Sequence, residues 1–164
     1  MKSLQLSEHF NLSEFERSAT ADRLHIDNTC PSTLIPQLST LCKTILEPLR
    51  QHFGEPVIIS SGYRSPTLNI KVGGVYASQH TLGEAADIVP LPPAGSSPSL
   101  SSKLSPLSSK PSALSSWFEW LRSNTDFDQL ILEHDSKGSY WIHVSCRRNL
   151  DKNRHQVFYD LKKK

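Results

Sequence analysis

The hydrophobic positions of this chain change period along its length. Between Ser32 and Phe53, Leu34, Leu38, Leu41, Ile45 and Leu49 recur at helical spacing, with Ile35, Cys42, Leu46 and Phe53 beside them. So wide a stripe predicts a long helix laid on a core. Pro48 should kink that helix and Gly54 should stop it. Upstream, Ser13-Glu-Phe-Glu16 has the spacing of a capping box, which predicts a short helix anchored by Phe10, Leu12 and Phe15.

The pattern then turns to short apolar runs. Val57, Ile58 and Ile59 read as a buried strand that ends in a turn at Ser61-Gly62. Ser65-Pro66 looks like an N-cap followed by proline at the first helical position, opening a short helix to about Val72 that Gly73-Gly74 breaks. Ala85 to Val89 reads as a second buried strand. "SSWFEWLRSN" restarts a helix with Trp117, Trp120 and Leu121 on one side. "FDQLILEH" and "SYWIHVSC" flank Asp135-Ser-Lys-Gly138 as the arms of a hairpin, and "HQVFYDL" is a last strand. The predicted class is α+β, with helices packed on a small, largely antiparallel sheet.

Residues 90–116 interrupt this pattern. Of these 27 residues, 11 are serine and 6 are proline, too few apolar groups to offset the cost of ordering the backbone. The expectation is a single domain over residues 1–164 that carries a flexible Ser/Pro-rich surface insertion at 90–116.

Charge narrows the function little. Eighteen basic and 16 acidic residues leave a formal net charge of +2, and the one clear run, Lys162-Lys163-Lys164, reads as a solvated tail and not a nucleic-acid footprint. Three cysteines without a CxxC pair argue against a disulfide framework, and Cys42 on the apolar stripe reads as core. The N-terminus has no long apolar segment of the secretory kind, and no stretch has membrane-spanning length. The expected species is a soluble monomer, cytoplasmic as synthesised and without membrane insertion. A substrate outside the membrane would then need a separate delivery route.

The stretch Ser78-Gln-His-Thr-Leu-Gly-Glu-Ala-Ala-Asp87 carries the chemistry. On an unbroken helix His80 and Asp87 would stand about 10 Å apart along the axis. In a straight strand the gap would be about 23 Å. Acting on one small object requires the chain to fold back at Gly83, where Ala85 and Ala86 leave room for close packing. His143, in a hairpin strand, offers a third donor. Two imidazoles and a carboxylate are the donor set of a catalytic zinc, which keeps a fourth position open. By spacing alone the matter stays open, since a histidine inside an apolar strand is also an ordinary core residue.

"SGYRS" (Ser61–Ser65), "SQHTLGEAAD" (Ser78–Asp87) and "WIHVS" (Trp141–Ser145), in this order, resemble the zinc D-Ala-D-Ala carboxypeptidases, D,D-dipeptidases and L-alanyl-D-glutamate endopeptidases of cell-wall metabolism and phage lysis. The likeness spans about Leu6 to Val144 and skips the Ser/Pro segment. The opening "LSEHFNLSEFERS" is similar to short phage or prophage members. The resemblance implies a hedgehog/D-Ala-D-Ala carboxypeptidase-like α+β fold with one zinc ion in a groove on the sheet. It implies His80, Asp87 and His143 as zinc ligands and Arg64 as the group that binds the scissile carbonyl and stabilises developing negative charge. Ser78 matches a serine that hydrogen-bonds substrate, though serine also suits a turn there. The implied substrate is the peptidoglycan stem peptide, cut at bonds involving D-amino acids. An endopeptidase is slightly favoured over a carboxypeptidase, from the lysin-like N-terminal segment and the absence of a secretory signal; no group that would hold a terminal carboxylate is evident.

One departure bears on the mechanism. Many relatives carry an acid three positions before the last histidine, and here that position is Tyr140. The nearest candidate for general base is Glu133, which a hairpin turning at Lys137-Gly138 would pair with Ile142, or with His143 after a slip of one. Without a working base the chain would be a zinc-containing cell-wall binding module, the competing class.

Overall fold

The computed structural model describes residues 4–91 and 112–162. Five strands form one sheet: β1 (Val57–Ser61), β2 (Ala85–Pro90), β3 (Gln129–His134), β4 (Tyr140–Ser145) and β5 (Gln156–Lys162). Their order is β1-β2-β4-β3-β5. All pairs are antiparallel except β3 with β5, which run parallel. The architecture is the α+β arrangement expected from the alternating periods, with a mostly antiparallel sheet.

Strand alternation divides the sheet into an apolar face and a polar one. Ala86, Ile88, Leu130, Leu132, Ile142 and Val144 point into the core. They meet Leu38, Leu41, Ile45 and Leu49 of the long helix and Trp117, Phe118 and Leu121 of α6 (Ser112–Asn124). The intervening positions, Asp87, Ile131, Glu133, Trp141 and His143, therefore share the opposite face.

The long helix is not uniform. It opens as a 3₁₀ turn at Ser32–Leu34, continues as α3 (Ile35–Leu41), widens into a π turn at Cys42–Leu46 and ends as α4 (Glu47–Phe53). Pro48 has no N–H to give Thr44, and the widened turn lies just ahead of it, with the Glu47 amide reaching the Cys42 carbonyl. The expected kink takes this form. Gly54 stops the helix in the left-handed region at φ 65°.

The first helix is capped two residues earlier than expected. In α1 (Leu12–Glu16) it is Glu14 whose carboxylate accepts the Asn11 amide, at 2.8 Å. Glu16 is used elsewhere, accepting the Cys30 amide. The N-terminal segment is tied down by buried Glu47, which accepts the Ser7 hydroxyl and both the amide and ring Nδ1 of His9. Two further helices, α2 (Ala19–Leu24) and α5 (Pro66–Lys71), flank the end of β1, and Ser65 caps α5 as its Ser-Pro pair predicts. Gly62 is a close-approach glycine: a Cβ there would stand 2.5 Å from the Phe15 backbone, so α1 rests directly on the turn after β1.

α6 begins at Ser112, three residues before the serine at which the sequence pattern restarts. Pro90 closes β2, and Ser112–Ser116 belong to α6. The rest of the Ser/Pro segment, residues 92–111, lies outside the described residues, as do Lys163 and Lys164 of the basic tail. Among the described residues no helix is long and apolar enough to cross a membrane. The three cysteines are buried free thiols, and burial pushes Cys30 up to about 11 and Cys146 up to about 12, so neither offers a thiolate near neutral pH.

Candidate metal centre

A 3₁₀ turn, Gln79–Leu82, presents His80 and is terminated by Gly83 at φ 68°. The left-handed residue folds the chain back, with the Glu84 amide bonded to the Gln79 carbonyl, and β2 starts two residues later. The β2–β4 register then sets Asp87 opposite His143, so both side chains leave the sheet on the same face. The three residues are buried and their donor atoms converge. His80 Nε2 lies 3.2 Å from His143 Nδ1 and 3.2 Å from Asp87 Oδ1, and His143 Nδ1 lies 2.9 Å from Asp87 Oδ1.

Protonation shows why this cluster suits a cation. His80 Nδ1 stands 2.6 Å from the Gly62 carbonyl, which can only accept, so that nitrogen carries the proton. Burial lowers the His80 pKa and keeps the ring neutral, leaving a lone pair on Nε2. Burial alone would raise Asp87, but its close contacts with His80 and His143 outweigh burial and hold it well below the usual carboxylate range. An anionic oxygen and an imidazole lone pair thus face each other, with one histidine nitrogen between them that cannot satisfy both by donating a single proton. A metal ion receiving all three lone pairs resolves that conflict. Two nitrogens and a hard oxygen at these separations fit zinc, whose bonds to such donors run about 2.0–2.2 Å.

Arg64 fixes the remaining oxygen. Its Nη2 donates to Asp87 Oδ2 at 2.8 Å, its Nε to Ser61 Oγ at 2.9 Å, and its own amide bonds the His80 carbonyl. The guanidinium expected to meet substrate is therefore also a clamp on Asp87, with Nη1 making no bond among the described residues. The turn that carries Arg64 is held by a residue the sequence did not flag. Buried Asn28 donates through Nδ2 to the carbonyls of Glu16 and Tyr63 and accepts the Ser65 amide. Ser78 is buried at the entry to the His80 turn, where its carbonyl accepts both the amide and the hydroxyl of Thr81.

An open groove of about 350 Å³ runs past this cluster, walled by Arg64, Asp87, Trp141, Asp135 and the Val72–Gly74 segment. The family model of peptidase M15 matches residues 8–103, more than half of the chain. The chain belongs to the peptidase M15 family. No curated protein matches it. As an M15 peptidase it is a metallopeptidase, a hydrolase of peptide bonds, and peptidases of this family are zinc-dependent. The matched span contains Arg64, Ser78, His80 and Asp87, whereas Glu133 and His143 of this M15 peptidase lie beyond it and reach the site through the β2–β4–β3 pairing.

Glu133 does not pair as the sequence suggested. It stands opposite Trp141, not Ile142 or His143. The hairpin loop is Asp135–Ser139, longer than a turn centred on Lys137-Gly138, because Asp135 Oδ1 takes the amides of both Lys137 and Ser139. This register leaves Glu133 on the same face as His143 and diagonal to it. The buried carboxylate accepts the Trp141 indole N–H at 2.6 Å. Tyr140 is an odd number of positions from His143, so it faces the other side, packed against the core. In this M15 peptidase an acid at 140 would not face the cluster.

Asp128 is a second residue the sequence did not reveal. It is fully buried just ahead of β3, where it accepts Gln79 Nε2 at 3.0 Å, Arg147 Nε at 2.8 Å and Arg154 Nη2 at 2.6 Å. It thereby moors the turn that presents His80. Burial would raise its pKa, but the bonds from Arg154 and Arg147 outweigh it and bring the group down to about 2. A depressed native pKa stabilises the fold above the unfolded value, near 4, and that contribution fades as pH falls towards 2. Asp128→Asn should cost about 1–3 kcal/mol at pH 7, since both arginines can rehydrate. In urea unfolding of the two proteins, the gap between them should close between about pH 4 and pH 2. A gap that does not change with pH would show that the charge of Asp128 contributes nothing.

Proposed function

We propose that this protein is a zinc peptidase of the bacterial cell wall, hydrolysing bonds that involve D-amino acids in peptidoglycan stem peptides. The observation that carries the reading is the convergence of His80 Nε2, Asp87 Oδ1 and His143 Nδ1 beside an open groove. An open groove suits a substrate chain that continues past the cut, which favours an endopeptidase in this reading.

When bound by these three residues, zinc supplies Lewis acidity, polarising the carbonyl and making water a stronger acid. The chain's own residues do the rest. His80 presents its Nε2 lone pair, oriented by the Gly62 carbonyl, and His143 presents its Nδ1. Arg64 holds Asp87 in its ligating orientation and offers Nη1 to negative charge growing on the scissile oxygen. Glu133, oriented by Trp141, takes a proton from the attacking water and returns it to the leaving amine. Ser78 holds the turn through its carbonyl, and in this reading its hydroxyl also hydrogen-bonds substrate.

The test is digestion of purified peptidoglycan by zinc-loaded protein, reading newly exposed amino groups. Amino groups should appear, cease to appear when a chelator removes the metal, and return on adding zinc. Zinc-loaded protein that releases none, or release that a chelator leaves untouched, overturns the proposal.

A further inference from the structure

A second chamber, of about 270 Å³, shares Arg64 as a wall with the groove. Its other polar lining comes from the start of α2 and the end of β1 with the turn after it: Arg17, Ser18, Thr20, Ser61, Tyr63 and Ser60, whose hydroxyl donates to the Asp87 carbonyl. Among the described residues no acidic one lines the chamber. Arg17 makes no hydrogen bond or ion pair among the described residues. The Ser61 hydroxyl already accepts from Arg64, so its proton points elsewhere. The Arg17 guanidinium, the edge of Arg64 that is turned away from Asp87 and the Ser61 hydroxyl proton make a site for a planar anion, and the guanidinium fork matches a carboxylate.

We propose that this chamber is a carboxylate subsite, which takes the free carboxylate of the residue adjoining the scissile bond. The inference rests on the peptidase reading above. Arg64 touches Asp87 on one side and lines the chamber on the other, so an anion held there belongs to a neighbouring residue and not to a distant part of the substrate. A terminal carboxylate and the α-carboxylate of a γ-linked D-glutamate share the chemistry required.

The experiment uses the full-length, zinc-loaded protein and two probe pairs. One pair is acetyl-D-alanyl-D-alanine and its C-terminal amide. The other is L-alanyl-γ-D-glutamyl-lysinamide with the glutamate α-carboxylate free or amidated. Calorimetry gives Kd for each, and KM and kcat follow where cleavage occurs. In one pair, which names the source of the carboxylate, amidation should weaken binding about tenfold. Because Arg17 binds ground state and transition state alike, kcat should stay within about twofold. Arg17→Gln should erase the preference for acid over amide, and Arg17→Lys should restore part of it. The inference falls if wild-type protein binds none of the probes, if amidation changes neither pair, or if Arg17→Gln still discriminates. Acid preference in binding without cleavage of any peptide would instead sink the peptidase reading and leave the subsite standing.

Discussion

Asp87→Asn should cost the protein its zinc. Asp87 supplies the single negative charge of the donor triangle, and its loss leaves two neutral imidazoles that must hold a dication alone. Losses in the shell around metal ligands are worth ten- to a hundredfold in affinity, so replacing a ligand should weaken zinc binding by at least about a hundredfold. The asparagine amide would also turn an N–H or a neutral oxygen towards His80 Nε2, which has no proton to share. The second consequence falls on Arg64. Its guanidinium is nearly buried and its counter-ion is Asp87. Breaking such a pair costs about 3–5 kcal/mol when the charge left behind stays dry. Here the open groove lets water reach it, and the asparagine oxygen can still accept from Nη2, so the apo variant should fold with reduced stability. Elemental analysis after dialysis against limiting zinc checks the first point. A thermal melt checks the second: zinc should raise the wild-type midpoint by mass action and leave the variant where it is. A variant that retains wild-type zinc content would remove Asp87 from the ligand set and the mechanism with it.

What could be read in advance divides along sequence distance. The fold-back between His80 and Asp87 was legible because one residue, Gly83, does it, by adopting a conformation that other residues avoid. The long helix was legible because its stripe is local, although the π turn ahead of Pro48 depends on how the chain resolves a missing amide. Pairing was not legible. That Asp87 meets His143 is a register between strands 56 residues apart, and a shift of one would have turned either side chain into the core. Glu133 shows the same point at short range, since a single side chain, Asp135, lengthens the hairpin loop and moves the partner from Ile142 to Trp141. Asn28, Glu47 and Asp128 are ordinary polar letters in the sequence. Each became significant only when burial forced it to find partners 35, 40 and 49 residues away, at Tyr63, Ser7 and Gln79. The parallel pairing of β5 with β3 has the same origin: the strand was evident, its direction was not.

Glu133→Gln separates catalysis from metal binding, because the two functions sit on different atoms. Glu133 is not among the three converging donors, so zinc content should match the wild type. Glutamine keeps the shape of the side chain and an oxygen to accept the Trp141 indole N–H, so the hairpin should keep its register. What it cannot do is take a proton from water and hand it to an amine. Positioned general acid–base groups contribute about 10²–10⁴ in rate, and turnover on peptidoglycan should fall by that factor while KM changes little. The geometry makes the expectation specific to this residue. Tyr140, where an acid would stand in many relatives, points to the core, and Asp87 is tied to Arg64, leaving Glu133 as the buried carboxylate on the cluster's own face diagonal to His143. Full turnover in the glutamine variant would show that the proton travels by another route. Loss of zinc together with turnover would mean that Glu133 holds the centre together and does not serve as its base.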